Sequence, residues 1–268
     1  MKLMQHQVEK PWGRTVLPKP FASTEGKRIG EIWFEAPHGD VELPLLTKYI
    51  FTSEKLSIQV HPSEQEARSR GLAHGKSECW YILECEPGAT LGLGLKRTVT
   101  RDELRTAALD GSIERLVDWR PVAAGEFYFV PPGTVHAIGA GISLLEFQQN
   151  VDVTYRLYDY GRPRELHLDE GIAVSEGAPY RDECARSADG SADAILVDGP
   201  MFSLIRASSP DAIPASVNKH RRWVMPLRGT VRSGGESGSV GDCLLVEPYT
   251  PLAFEAHALA LIGTEGCI

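Results

Sequence analysis

The chain has 268 residues, which is enough for one large domain or two ordinary ones. With 42% hydrophobic and 24% charged residues, its composition is that of a globular protein with a sizeable core. A formal net charge of −8, without any basic block, argues against a nucleic-acid partner. No apolar run reaches the roughly 18 residues of a membrane span, so no membrane partner is expected.

The cellular location is predicted from the N-terminus and the cysteines. The first residues, MKLMQHQVEKPWG, lack the apolar segment of a secretory signal. Five scattered cysteines without a C-x-x-C pair favour reduced thiols over a disulfide framework. Together these features predict a cytoplasmic protein.

Short apolar runs separated by turn residues predict an all-β protein, built as a sandwich or barrel. These runs include GEIWFEA, LLTKYIF, KLSIQVH, CWYIL, GEFYFVPP and ISLLEFQQ. Two segments are predicted to be helical instead. Ser63 with Glu66, and Thr100 with Glu103, have capping-box spacing, and Gly111 is placed to end the second segment.

A domain boundary is predicted at residues 176–193, which are mostly polar or small. Residues 1–175 then form the first domain, and strand patterns resume at residues 194–268 as a smaller all-β domain. The basic cluster KHRRW, residues 219–223, is predicted to be a solvated strand edge.

Four polar side chains interrupt apolar strand patterns and are candidate metal ligands. Gln59 and His61 lie two residues apart, so they share one face of a strand. Glu78 opens the run before CWYIL, and His136 follows the turn sequence PPG. If these strands meet, two nitrogens and two oxygens converge, a donor set that suits a divalent ion such as zinc.

The motifs around these residues resemble a known family. The spacing of Gly125, Pro131, Gly133 and His136 is similar to the second motif of the cupin β-barrels. Together with LSIQVHP, GKSECWYIL and LLEFQQNVDVTYRLYDYGR, it resembles the type I mannose-6-phosphate isomerases in their short bacterial form. The resemblance covers roughly residues 10–175 and rests on several independent motifs.

The resemblance implies two cupin-type (jelly-roll) barrels, with a short helical insertion in the first and no metal in the second. It implies one Zn²⁺ per chain, bound by Gln59, His61, Glu78 and His136. The implied reaction interconverts mannose 6-phosphate and fructose 6-phosphate through an enediol, whose negative charge a cation stabilises. The substrate is then a small sugar phosphate, and the oligomeric state is left open.

The resemblance also assigns residues to the sugar. Lys76, two residues before Glu78, and Arg156 in YRLYD are expected to bind substrate and take part in catalysis, with Glu78 as a further catalytic candidate. Lys10 and Trp12, in EKPWG, are expected to line the pocket, together with Lys48.

Structural alternatives stand beside these assignments. Lys76 could be a surface lysine, Trp12 a packing residue, and Arg156 a partner of Asp152 or Asp159. The group that takes the carbon-bound proton is open between Glu78, Lys76 and a metal-bound hydroxide.

Two other functions are compatible with a cupin fold. One is a metal-dependent dioxygenase, which would use iron and a histidine-rich ligand set. Gln59 in place of a first histidine disfavours that function. The other is a sugar-binding cupin without turnover, which the presence of Lys76 and Arg156 disfavours.

Overall fold

The computed structural model describes residues 1–21, 23–37, 42–186 and 193–267. Most of its regular structure is β, and every strand pair is antiparallel, which confirms the all-β prediction. The strands are β1 (Met4–Arg14), β2 (Ile29–Glu35), β3 (Leu45–Phe51), β4 (Ile58–Val60), β5 (Glu78–Cys85), β6 (Thr90–Leu95), β7 (Val117–Pro121), β8 (Phe127–Val130), β9 (His136–Ile138), β10 (Ile142–Gln149), β11 (Tyr155–Tyr158), β12 (Ala185–Arg186), β13 (Ala194–Asp198), β14 (Phe202–Ala207), β15 (Arg222–Arg228), β16 (Thr230–Ser233), β17 (Glu236–Ser239), β18 (Leu244–Val246), β19 (Ala253–Phe254) and β20 (Leu259–Glu265).

The helices are α1 (Glu64–Ser69), α2 (Arg101–Asp110), α3 (Ile113–Leu116) and α4 (Leu168–Val174), with 3-10 turns at Asp182–Cys184, Pro210–Ala212 and Val217–Lys219. Both predicted capping boxes are present, with the side chains of Ser63 and Thr100 accepting from the third helical residue. Gly111 ends α2 in the left-handed conformation, as predicted. In the described residues, no helix is both long and apolar enough to cross a membrane.

The first twelve strands form two sheets. One has the order β1-β2-β3-β10-β5-β8-β12 and the other the order β11-β4-β9-β6-β7. A buried apolar cluster draws Trp80, Ile82 and Leu144 from the first sheet and Leu91 and Ile138 from the second. Because one cluster takes side chains from both sheets, the core of this half lies between them.

The remaining strands form a second pair of sheets, ordered β13-β14-β20-β15-β18 and β17-β16-β19. A third set of buried side chains joins the two halves, because Tyr49 and Phe147 share a cluster with Phe202 and Trp223. At Gly263 a Cβ would lie 2.2 Å from the Phe147 ring, so the absence of a side chain there permits this approach.

The described part of the segment predicted to link the two halves packs on the first sheet. Ala185 and Arg186 pair with β8, and the Tyr180 hydroxyl donates to the Phe129 carbonyl at 2.8 Å. Residues 187–192 of this segment lie outside the described residues. The boundaries at residues 175 and 194 stay a prediction.

The prediction of a solvated strand edge at residues 219–223 is wrong for Arg222 and Trp223, although Lys219 is exposed. β15 lies between β18 and β20, so it is an interior strand, and both Arg222 and Trp223 are buried. The Arg222 guanidinium donates to the Asn218 side chain and to the carbonyls of Glu247 and Thr250. A buried arginine is tolerated here because fixed acceptors surround it.

Candidate metal site and cavity

Three of the predicted ligands meet at one point. Glu78 is the first residue of β5, His136 is the first of β9, and His61 directly follows β4. One donor atom from each lies within 4.8 Å of the others, and all three side chains are buried. The two sheets thus supply a His, Glu, His set of the kind that holds a divalent ion.

The charge states of these side chains suit metal binding. Burial lowers the pKa of His61 to about 3, with a further contribution from the nearby Lys76 ammonium. Burial also lowers the pKa of His136. Burial alone would raise the pKa of Glu78, but attraction to Lys76, together with the contacts to His61 and His136, outweighs it and holds that pKa well below its usual range. Neutral imidazoles and a carboxylate are the forms that bind a metal.

The orientation of His136 is fixed by its backbone. Its Nδ1 lies 2.8 Å from the carbonyl oxygen of Thr134, which can only accept, so Nδ1 carries the proton. Its Nε2 is left with a lone pair and lies 3.2 Å from Glu78 Oε1. Such a hydrogen bond behind a ligand imidazole is the usual support of a metal-binding histidine.

Several buried polar atoms at this point lack hydrogen bonds. His61 Nε2 lies 3.2 Å from Glu78 Oε2, yet neither histidine nitrogen nor either carboxylate oxygen has a well-aligned hydrogen bond among the described residues. Unpaired buried polar atoms are costly, and a cation between them would satisfy their lone pairs. The donor set therefore fits a bound metal ion.

Gln59 lies at the same site with its amide nitrogen facing inwards. It pairs with His136 between β4 and β9, and its Nε2 lies 3.3 Å from the His136 Nε2. Its Oε1 accepts from the Ser57 hydroxyl at 3.1 Å. A hydroxyl can also accept, so a half-turn of the amide would direct Oε1 to the metal position and keep the Ser57 contact.

Lys76 is buried beside the ligands and is not a surface lysine. Its Nζ lies 3.1 Å from Glu78 Oε2, and its side chain lines the cavity described below. Lys76 thus reaches the pocket, as expected, while its role in binding and catalysis stays a prediction.

The backbone that holds Lys76 is braced by α1. Glu64 Oε1 accepts from the Gly75 amide at 3.1 Å and from the Gln149 side chain at 2.6 Å. The Gln149 Oε1 in turn accepts from the Ser77 amide at 2.9 Å. These contacts fix the residues on both sides of Lys76 from the side away from the cavity.

Arg156 does not form either of the alternative ion pairs. The Asp159 carboxylate accepts instead from Arg162 and Arg164, and among the described residues no carboxylate pairs with Arg156. Arg156 lies opposite Gln59 in the β11–β4 pair, and its Nε has no hydrogen bond. Its guanidinium is thus free to bind an anion or polar oxygens.

These side chains line a cavity of about 320 Å³ next to the ligand cluster. Its volume falls at the lower end of the range for small-molecule sites. Lys10, Trp12 and Lys48 line it, as predicted, although Trp12 is only 2% exposed and also packs in the core. The cavity is also lined by Gln59, Lys76, His136, Glu146, Gln148 and Arg156.

Two carboxylates in this cavity were not predicted from the sequence. Glu146, in β10, has its Oε1 2.9 Å from Lys48 Nζ, and its Oε2 accepts from the Trp80 indole at 2.9 Å. Glu31, in β2, lies 3.5 Å from Lys10 and 3.9 Å from Lys48. Both interrupt apolar runs, the same signal that identified Gln59 and His61, and it could have found them.

The pKa values of Glu146 and Glu31 are shifted in opposite directions by their surroundings. Burial, with repulsion from Glu78, raises the pKa of Glu146 despite the nearby Lys48. Burial would also raise the pKa of Glu31, but attraction to Lys48 and Lys10 outweighs it and lowers that pKa. Two carboxyl groups in one cavity with pKa values shifted in opposite directions are the arrangement that proton transfer uses.

Two curated proteins that are similar in sequence to this chain are both named mannose-6-phosphate isomerase. The chain is 43% identical over 164 residues to mannose-6-phosphate isomerase ManA of Bacillus subtilis, an alignment covering 57% of this chain and 52% of that protein. It is 39% identical over 171 residues to mannose-6-phosphate isomerase of Streptococcus mutans, covering 61% and 54%. The chain thus spans about half the length of these curated relatives. No family model matches the chain.

Solved structures resemble the fold over nearly the whole chain. The crystal structure of mannose 6-phosphate isomerase from Bacillus subtilis superposes with a TM-score of 0.79 at 27% identity, covering 98% of both chains. A mutant phosphomannose isomerase from Salmonella typhimurium superposes with a TM-score of 0.72 at 13% identity, covering 98% of this chain and 99% of that one. At that identity the second likeness concerns the fold alone, which is of the cupin type.

Proposed function

We propose that this chain, a homologue of the mannose-6-phosphate isomerases as its motifs indicated, interconverts mannose 6-phosphate and fructose 6-phosphate. The observation that supports this most directly is the buried His61, Glu78 and His136 cluster beside a cavity lined by Lys76 and Arg156. A cytoplasmic location stays a prediction from the sequence.

The proposed metal is one Zn²⁺, held by His61, Glu78, His136 and the turned amide of Gln59. Two imidazole nitrogens with two oxygens suit zinc better than the oxygen-only sets preferred by magnesium or calcium. When bound, such an ion polarises the carbonyl and hydroxyl oxygens on the reacting carbons of the sugar.

The chain's own residues supply the proton transfer. The reaction takes a proton from C2 and returns one to C1, while the hydroxyl proton moves from O2 to O1. We assign the carbon-bound proton to Lys76 Nζ, which lies in the cavity and 3.1 Å from Glu78. Glu146 is the alternative that the cavity adds, because its raised pKa suits a carboxyl that both takes up and gives a proton.

The remaining cations are proposed to bind the substrate. Arg156 has no carboxylate partner among the described residues, so its guanidinium can pair with the phosphate or the sugar oxygens. Lys10 and Trp12 are proposed as further contacts at the cavity wall, where an ammonium and an indole face the sugar.

The test is incubation of the purified protein with mannose 6-phosphate, with fructose 6-phosphate formation followed by a coupled assay. We expect turnover that a chelator abolishes and added Zn²⁺ restores. Metal content by mass spectrometry identifies the native ion, and an oxygen electrode tests the dioxygenase alternative. A zinc-loaded protein that binds the sugar phosphate but forms no ketose would overturn the proposal in favour of a non-catalytic sugar-binding cupin.

Lys76→Met and Glu146→Gln separate the two candidates for proton transfer. The group that carries the carbon-bound proton should be required for exchange of the C2 hydrogen with solvent, while the other variant should keep measurable exchange. Substrate affinity, measured on both variants, controls for loss of binding.

A further inference from the structure

Gln148 lines the cavity and carries a buried hydrogen-bond acceptor that no described residue uses. It lies in β10, its side chain lines the cavity, and it is only 2% exposed. Its Oε1 has no hydrogen-bond donor among the described residues. Buried amide oxygens are nearly always paired, so an unpaired one at a cavity wall points to a ligand.

The orientation of this amide is fixed by its other end. Gln148 Nε2 donates to the carbonyl oxygen of Gln149 at 2.8 Å, and that contact is buried. A half-turn of the amide would bring Oε1 against the same carbonyl and set two acceptors against each other. The oxygen, and not the nitrogen, therefore faces away from Gln149.

The register of the sheet places Gln148 beside the metal-binding cluster. It lies directly opposite Glu78 in the β10–β5 pair, where facing side chains start about 5 Å apart. Glu146, two residues earlier, points to the same face of β10. The unused acceptor thus lies next to the position at which the proposed reaction takes place.

We infer that Gln148 is a specificity-determining residue that accepts a hydrogen bond from one sugar hydroxyl on C3, C4 or C5. This inference rests on the proposed function. The neighbouring Glu78 and Glu146 carboxylates disfavour an anionic group at this point, whereas a hydroxyl can donate to the neutral amide. A substrate without that hydroxyl leaves the buried oxygen unpaired, and the cost appears as discrimination.

The test combines Gln148→Met, which keeps the length of the side chain and removes the acceptor, with deoxy substrates. We compare kcat/KM for mannose 6-phosphate and its 3-deoxy, 4-deoxy and 5-deoxy analogues on zinc-loaded protein. For one analogue, the wild type should discriminate at least about tenfold more strongly than Gln148→Met, the loss expected for one unpaired buried acceptor. Unchanged ratios for all three analogues would overturn the inference.

Two further variants serve as controls for the comparison of Gln148→Met with the wild type. Gln5→Met makes the same change at a side chain outside the cavity, where Gln5 bonds the Gly241 carbonyl, and should keep every ratio of the wild type. Gln148→Asn keeps the amide but withdraws the oxygen by one carbon, so it should lose the same discrimination even if Gln148→Met fails to fold. A Gln148→Asn variant with wild-type ratios would count against the inference.

Calorimetric binding of the same four sugar phosphates separates this inference from the proposed function. Binding with discrimination that depends on Gln148, but without turnover, would overturn the proposed function and support the role of Gln148. Normal turnover, with discrimination among the analogues that does not depend on Gln148, would support the proposed function and overturn the role of Gln148. Failure of the zinc-loaded wild type to bind any sugar phosphate would overturn both.

Discussion

The ion pair between Lys48 and Glu146 allows a stability prediction that needs no knowledge of the substrate. The two groups lie 2.9 Å apart, with their side chains only 9% and 4% exposed. Burial lowers the pKa of Lys48, but attraction to Glu146 and Glu31 outweighs it and raises that pKa. Lys48→Met removes the cation, keeps the length of the side chain and leaves Glu146 without a charge partner.

Breaking a buried pair on one side costs about 3 kcal/mol or more of folding free energy. For a chain of this size, each kcal/mol lowers the melting temperature by about 2–4 °C, so a drop of about 6–12 °C is expected. The matched control is Arg232→Met, which breaks a 2.7 Å contact with Glu255 between groups that are 64% and 45% exposed. Since exposed pairs contribute about 1 kcal/mol or less, that variant should lose at most a few degrees.

The pH dependence supplies a second measurement. The folded-state pKa of Glu146 is already raised, and loss of Lys48 raises it further. A carboxyl with a raised folded-state pKa favours folding when protonated, and this contribution is lost as pH rises through that pKa. Lys48→Met should therefore be closer to the wild type at pH 5 than at pH 8 by differential scanning calorimetry. The double variant with Glu146→Gln should recover most of the loss at pH 8. Equal melting shifts for Lys48→Met and Arg232→Met, or no recovery in the double variant, would refute this reasoning.

Three further predictions concern the site. Glu78→Ala and His136→Ala should each lose bound metal and turnover, measured by mass spectrometry and the isomerase assay, and full activity in either would count against the site. Arg156→Ala should stay folded and metal-loaded but lose about 100-fold or more in kcat/KM, the scale of a charge-assisted contact in a closed site, and an unchanged rate would remove Arg156 from the mechanism. Glu64→Ala should lower kcat about tenfold with metal retained, because it loosens the backbone around Lys76. Arg68→Ala, which removes only an exposed contact of Glu64, should leave kcat unchanged, and equal effects of the two variants would argue against the brace.

Local signals predicted the helices best where a side chain caps them. Ser63 and Thr100 mark α1 and α2 because an N-cap and its partner are only three residues apart in sequence. α4 was missed, and its N-cap residue, His167, forms no side-chain cap. Its stability comes from Ile172 and Val174, which pack in the same cluster as Leu157 of β11. Such tertiary packing leaves little local trace in a sequence.

The site residues were predictable where a polar side chain interrupts an apolar strand. The burial of a charged side chain was less predictable where its hydrogen-bond partners are distant in sequence. Gln59, His61, Glu78 and His136 were identified by that signal and a family resemblance, and the structure brings them together. The burial of Arg222 was predicted wrongly, because its acceptors come from two turns distant in sequence, one with Asn218 and the other with Glu247 and Thr250. Only the fold decides whether a charged residue is solvated or enclosed by acceptors.

The cavity also explains why so many charges can be buried together. Moving alone into a core, each of Lys48, Glu31 and Glu146 would change its charge state or unfold the protein. On neighbouring strands, however, these charges alternate in sign, and attraction between each pair offsets the cost of burying it. All three groups can therefore stay charged in the folded protein and set up an electrostatic field at the cavity wall. That arrangement leaves Arg156 as the cation without a carboxylate partner among the described residues of the wall. An anionic ligand would complete the alternation, which supports the proposed sugar phosphate over a neutral sugar.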